Sequence, residues 1–225
     1  MSKRPFMNVL VLSAALVIGA GPYVVRAAGF RGNAYHAEPG AVANIDMQRV
    51  YSESDARKAA EEKVRDFGIK LGGHFDEIAK MEYLSPAEIS DYSVALNAEK
   101  PAPADAKKIT DLKAASSTRT DEWSALSGKK DADLTKNDRD RMRELTTNRN
   151  QRPEVMARLQ KIYQAAVDEQ EAKENRTGMA EVRTIVAKLA KDQGLSQVYD
   201  TTSMVYAPID LTDQALKKTQ TKKKP

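Results

Sequence analysis

Between Ala60 and Met81 apolar residues return at alternating intervals of four and three, through Val64, Phe67, Leu71 and Ile78, with His74 filling the remaining place in the series. That period draws a stripe along one face of an α-helix, and the serines at 52 and 54 suit its N-cap, so a helix is predicted over residues 54–84. Gly68, Gly72 and Gly73 interrupt it. Each costs up to about 1 kcal/mol against alanine in a helix interior, which predicts a bend or weak point there. Ser85-Pro86-Ala87-Glu88 has the makings of a second helix start: a serine cap, proline in the first turn and glutamate three residues after the cap. Lys100-Pro101-Ala102-Pro103 reads as an extended break. Further helices are expected over 105–126 and 134–149, with a loop at 127–130 between them. Pro153 is expected to open the final long helix, because proline is tolerated in a first turn and not in an interior. Its stripe of Val155, Leu159, Ile162 and Ala166 gives way to a polar stretch at 169–178, then resumes one residue out of phase at Met179, Val182, Val186 and Leu189. Gln193-Gly194 supplies the stop.

The ends of the chain read differently. Residues 42–47 have the composition of a short strand, and 195–216 hold a strand, a turn, a second strand and a short helix, with sheet expected over 197–206. The two strand regions lie far apart in sequence, so a sheet that joins them requires the helical excursion to go out and come back. The pattern therefore predicts an α+β fold, predominantly α-helical: a small β-body built from 42–53 and 195–216, and a long, interrupted α-helical hairpin arm over 54–194. Three short strands bury little apolar area, which makes association of sheets between subunits the expected remedy.

Ahead of the β-body, Lys3 and Arg4 precede an apolar stretch at 9–20, and Val25-Arg26-Ala27 offers small residues for signal cleavage, with Ala28 as the first mature residue. The stretch is shorter than the roughly 20 residues a membrane span needs. Residues 1–27 are thus expected to be a signal peptide that delivers the protein to the periplasm, followed by a glycine- and proline-marked lead-in over 28–41; an uncleaved amino-terminal anchor is the alternative. Cleavage changes the charge argument. Three of the 36 basic residues, Lys3, Arg4 and Arg26, leave with the signal, so 33 remain against 32 acidic ones. The high pI of about 9.1 then gives no reason to expect a nucleic-acid partner. What stays basic is the tail at 217–225, with Lys217, Lys218, Lys222, Lys223 and Lys224, read as a solvated, disordered end or as a weak contact for anionic lipid. The chain has no cysteine, so disulfides are excluded.

Candidate chemistry is sparse. His74 has no second histidine at a ligand spacing and His36 lies in the lead-in, so no metal site is expected. No phosphate loop, dinucleotide fingerprint or nucleophile elbow is present, and Asp200 and Asp210 sit where turn chemistry accounts for them. No cofactor and no enzymatic activity are expected.

The runs VANIDMQRVY at 42–51, SDARKAAE at 54–61 and QVYDTTSMVYAPIDLTD at 197–213 resemble the Skp (OmpH) family of periplasmic chaperones. The resemblance covers both ends and the final helix. It implies a trimeric β-body carrying three helical arms that enclose unfolded outer-membrane proteins without ATP. It also implies subunit contacts through Val42, Ile45, Met47, Val198, Tyr199, Met204, Val205 and Tyr206. The middle departs from the family pattern, since Pro86, Pro101, Pro103 and Pro153 cut it into pieces. The helix starts at Leu84 and Leu134 also resemble those of the Spy and CpxP chaperones. Holding an unfolded chain without energy input requires many weak apolar contacts mixed with charge. Met81, Tyr83, Leu84, Ile89, Tyr92, Leu96, Trp123, Leu126, Met142, Leu145, Met156, Leu159 and Tyr163 are the candidates for client binding; the alternative is that they pack the helices of the arm together. A structural coiled-coil spacer or adaptor of the envelope is the competing expectation for the whole chain.

Overall fold

Short polar side chains set several of the helix starts. In the computed structural model, which describes residues 41–98, 100–204 and 206–220, the first strand β1 (Val42–Ile45) ends sooner than expected. Asp46 accepts from the Arg49 backbone at 2.8 Å and caps a short helix α1 (Met47–Ser52), so Met47 is helical and not part of the strand. Ser54 caps α2 (Asp55–Ala79). This helix runs without a break through Gly68, Gly72 and Gly73 and stops five residues short of the expected end, with Lys80 as its C-cap. Ser85 and Glu88 form the expected capping box at the start of α3 (Pro86–Leu96): Ser85 Oγ accepts from the Glu88 amide at 3.3 Å and Glu88 from the Ser85 amide at 2.8 Å. At α4 (Pro103–Ser127) Asp105 returns one such bond to the Ala102 amide at 2.8 Å.

The next helix requires a correction. Thr135 and Asp138 exchange capping bonds at 3.1 and 3.0 Å, and α5 (Lys136–Asp192) then runs 57 residues with Pro153 in its interior. At about 1.5 Å per residue it is roughly 85 Å long. The expected pieces at 134–149 and from 153 onward are one element. Proline removes the amide that would bond the Arg149 carbonyl; both residues are exposed, so solvent can supply the missing donor. The stop is as expected. Gly194, at φ 69°, is in the left-handed region, and the Leu195 amide donates to the Ala190 carbonyl at 3.0 Å and the Gly194 amide to Lys191 at 3.1 Å, a Schellman closure.

The described residues are mostly helical, with one small sheet. β2 (Gln197–Asp200), β1 and β3 (Ile209–Asp210) lie in that order, and both outer strands run parallel to β1. The second carboxy-terminal strand is thus at 209–210, beyond Met204 and Tyr206, which lie outside the strands. Asp200 shapes the exit from β2, accepting from the Thr202 amide and hydroxyl at 3.0 and 2.8 Å. Asp210 accepts from the Thr212 amide at 2.8 Å, and α6 (Thr212–Thr219) follows.

The chain divides into two compact units. One contains both ends, up to Glu53 and from Arg183 onward; the other is Ser54–Val182. In the first, Ala43, Ile45 and Val198 are buried, as are Val50 of α1 and Leu211, Ala215 and Leu216 around α6. Thr212 Oγ1 accepts from the Asp46 amide at 2.9 Å, fixing the start of α1 against the corner between β3 and α6. The second unit is all-helical. Its core combines Leu71 and Ile78 of α2, Leu84 before α3, Ile89 and Tyr92 of α3, and Met156, Leu159 and Tyr163 of α5.

Candidate functional site

The residues expected to bind clients all fall in the helical unit, and the packing of its helices decides their availability. Cross-bonds fix how α2 and α5 run past each other. Arg57 bonds Asn175 and Lys63 pairs with Glu174 at 2.9 Å, while further along, Arg152 of α5 donates to the carbonyls of Ile78 and Met81 at 3.4 Å each and to that of Ala79. Rising numbers on α2 thus meet falling numbers on α5. The last carbonyls of α2 have no partner within the helix, and a guanidinium supplies up to five donors in a fixed fork. Turn bonds from the Lys80 and Met81 amides reach the Glu77 and Ile78 carbonyls, and Arg152 adds donors to this end of α2 from the neighbouring helix.

α3 and α4 complete the cross-section. Glu88, the capping glutamate of α3, accepts both guanidinium nitrogens of Arg119 on α4 at 2.6 and 2.7 Å. Arg119 and the Ser85 bonds together hold the Glu88 carboxyl down at about 2, against an opposing contribution from burial. The same guanidinium donates to the Tyr83 carbonyl at 3.1 Å, and the Tyr83 ring stacks on Trp123 with centroids 5.6 Å apart. Glu77 of α2 pairs with Lys113 of α4 at 2.6 Å and accepts from the Tyr92 hydroxyl. Lys113 first and Tyr92 second lower the Glu77 carboxyl, while burial and then Glu77 raise the Tyr92 phenol. His74 Nδ1 bonds Asn97 Oδ1 at 2.9 Å, Asn97 Nδ2 donates to the Tyr163 hydroxyl at 2.9 Å, and Ser93 shares that hydroxyl at 3.0 Å. A polar seam thus runs through the four-helix section, each of its members bonded to a neighbouring helix.

These contacts place the candidate residues. Met81, Tyr83, Leu84, Ile89, Tyr92, Leu126, Leu145, Met156 and Tyr163 are buried, together with Leu159; Leu96, Trp123 and Met142 are half-buried. None lies open on the surface. The large apolar side chains that are exposed in this unit are Ile69 at 67%, Val94 at 70% and Ile162 at 62%. Of the expected inward stripe of α5, Leu159 lies in the core and Val155 and Ala166 pack against it, but Ile162 faces out and Met156 and Tyr163 join the core in addition. Val94 and Ile162 each adjoin a member of the bonded pair Ser93 and Tyr163 in sequence.

The residues expected at subunit contacts occupy the other unit. Ile45 and Val198 are buried in its core, Val42, Met47, Tyr199 and Met204 are half-buried, and Tyr206 is 80% exposed. Val205 lies outside the described residues, as do the signal segment and the lysines at 222–224. Asn44 sits between Tyr199 and Asp210 in register. Its Oδ1 is buried with no hydrogen-bond partner among the described residues.

The seam went unread in the sequence. Ile89, Ser93 and Asn97 recur at intervals of four and so share a face of α3, and His74 interrupting an apolar stripe was the matching signal on α2. Among the described residues, no group of three or more His, Asp or Glu could hold a metal ion, and no helix is long and apolar enough to cross a membrane. No family model matches the chain, nor does any curated protein or solved structure.

Proposed function

We propose that this chain is an ATP-independent periplasmic holdase for unfolded outer-membrane proteins, working as a homotrimer in which the sheet units associate and three helical arms receive the client. The observation that carries the reading is the division of the chain: its two ends meet in one small parallel sheet, while everything between them folds as a separate helical unit. Two features of the sheet unit favour association. Among the described residues, β2 and β3 each have one unpaired edge, a template for further strands, and Asn44 Oδ1 lacks a donor that a neighbouring subunit could supply. In the arm, α2 and α5 would form the two long legs. The resemblance of both ends to the Skp family points the same way.

A helical spacer or adaptor of the cell envelope is the second reading. It is favoured by the burial of most of the candidate client residues. Light scattering separates the two. A urea-denatured outer-membrane barrel protein is diluted into buffer with increasing amounts of the chain from Ala28 onward. The holdase suppresses aggregation, saturating near one trimer per client; a folded spacer leaves the scattering unchanged.

A further inference from the structure

The glycines of α2 have no packing reason to be glycine. A Cβ added at Gly68, Gly72 or Gly73 would meet nothing within 4 Å, and none of the three has a left-handed φ. What remains is their effect on the helix itself, which each of them weakens. The weakened stretch lies directly beneath α3: His74, next to Gly73, bonds Asn97, and Leu71 and Ile78 share a core with Ile89 and Tyr92. α3 is itself only 11 residues long, below the length at which an isolated helix persists in water, and so it depends on its packing against α2 and on the Glu88–Arg119 pair that tethers it to α4. Its inward face carries Tyr92, Ser93 and Asn97 hydroxyl and amide groups among the apolar ones, and such groups can rebond to water when the contact opens.

We propose that α3 is a displaceable clasp: in the resting protein it fills the apolar groove between α2 and α5, and it yields that groove to an apolar client segment. The client-facing part rests on the holdase reading. α3 is the groove's built-in occupant, and its own inward residues, Ile89 and Tyr92, define the chemistry of the incoming segment: aliphatic and aromatic side chains of the kind that β-barrel precursors carry at every second position. Displacement uncovers Leu71 and Ile78 on one side and Met156, Leu159 and Tyr163 on the other. The weak glycine stretch lets the α2 wall open with α3 as one low-stability unit, while the remainder of the chain stays folded. Burial of Met156, Leu159 and Tyr163 at rest is then the closed state of the same surface.

Hydrogen exchange on the full chain tests the opening without any client. Amides of 68–76 and of α3 are expected to exchange together and faster than those of the α5 core. In a Gly72→Ala/Gly73→Ala variant, whose new methyls point into open space, both segments should slow by a common factor on the order of tenfold. Tyr92→Phe, which keeps the ring and removes the bond to Glu77, should speed both. Slowing confined to 68–76, or α3 exchanging only with global unfolding, overturns the clasp. Aggregation assays then read its use: the alanine pair should weaken suppression and Tyr92→Phe should strengthen it. Coupled exchange with equal suppression in both variants overturns the groove as the client site. If the unaltered chain shows coupled exchange but no suppression at all, the holdase reading falls and the opening of α3 stands.

Discussion

The sheet unit and the helical unit handle their polar groups in opposite ways. Around the sheet, side-chain bonds are mostly short in sequence: Asp46 caps α1, Asp200 closes the turn after β2, and Asp210 orders the start of α6. In the helical unit the strong bonds join separate elements, Glu88 to Arg119, Glu77 to Lys113 and Tyr92, and Arg152 to the carbonyl end of α2. Among the described residues, the buried polar groups of the helical unit are bonded, whereas in the sheet unit Asn44 Oδ1 is buried without a partner. Buried polar atoms without partners are rare because each costs about 1–3 kcal/mol. The difference is that the helical unit pairs its buried polar groups across helices, while the sheet unit keeps one acceptor that a further donor could satisfy.

The largest effects should come from truncating either core, and they should stay separate. Trp123 is the single tryptophan and stacks on Tyr83 inside the helical unit, so its fluorescence reports that unit alone. Leu84, fully buried, leaves a cavity when replaced by alanine. Leu84→Ala should cost about 3 kcal/mol in the urea transition followed at Trp123. Ile45→Ala, an equally severe change in the sheet unit, should leave that transition in place and speed hydrogen exchange in β1 and β2. A shift of the Trp123 midpoint by Ile45→Ala would show that the two units unfold as one and break the comparison.

Glu88 gives the next effect and a pH signature. Its folded value is about 2 against an ordinary 4.5, so the carboxylate contributes stability that is fully present above about pH 4.5 and lost as pH falls toward 2. The pair is partly exposed, 18% at Arg119 and 27% at Glu88, which discounts the contribution for solvent screening to about 2 kcal/mol. Glu88→Gln should therefore destabilise the helical unit by about that amount at pH 7 and by little near pH 2. The Trp123 urea midpoint measured at both pH values checks this. An equal loss at the two would mean that the amide disturbs packing and that the charge contributes nothing.

Much of the architecture was legible in local chemistry. Ser54, Ser85 with Glu88, and Gly194 each carry a side chain or backbone freedom that dictates a boundary without reference to the rest of the fold, and the boundaries fall there. The helical class of the middle and the sheet class of the ends were equally readable from period. Misreadings arose where a long-range partner overrode local preference or where an element was too short to show its pattern. Pro153 looks like a helix start, yet the helix that Thr135 and Asp138 begin continues through it, with Arg152 anchored to the end of α2. Met47 looks like strand until Asp46 is seen capping a turn, and β3 is only two residues long, too short for a period to show. In the candidate site, the apolar residues could be named from sequence but their burial could not, because a stripe does not say whether its partner lies in the same chain. The polar seam joins α2, α3, α4 and α5, and no single segment contains its pattern.

The smallest of the three effects bears on the orphaned atom. Asn44 occupies the central strand, where asparagine is a poor strand former and a β-branched residue is favoured, and its carbonyl oxygen has no donor among the described residues. In a monomer, Asn44→Val removes a buried unsatisfied acceptor and improves the fit to the strand, and should stabilise the sheet unit by about 1 kcal/mol. In an assembly whose second subunit supplies a donor, the same change deletes a bond and leaves that donor unpaired, so the sign reverses. The sheet unit is followed by hydrogen exchange in β1 and β2 across a dilution series, with sedimentation reporting the assembly state at each concentration. Protection gained by valine at the lowest concentration and lost at the highest would establish that the atom is satisfied between copies. A gain at every concentration would mean that the sheet unit is finished as a single chain, and the contrast with the helical unit would then reduce to one tolerated defect.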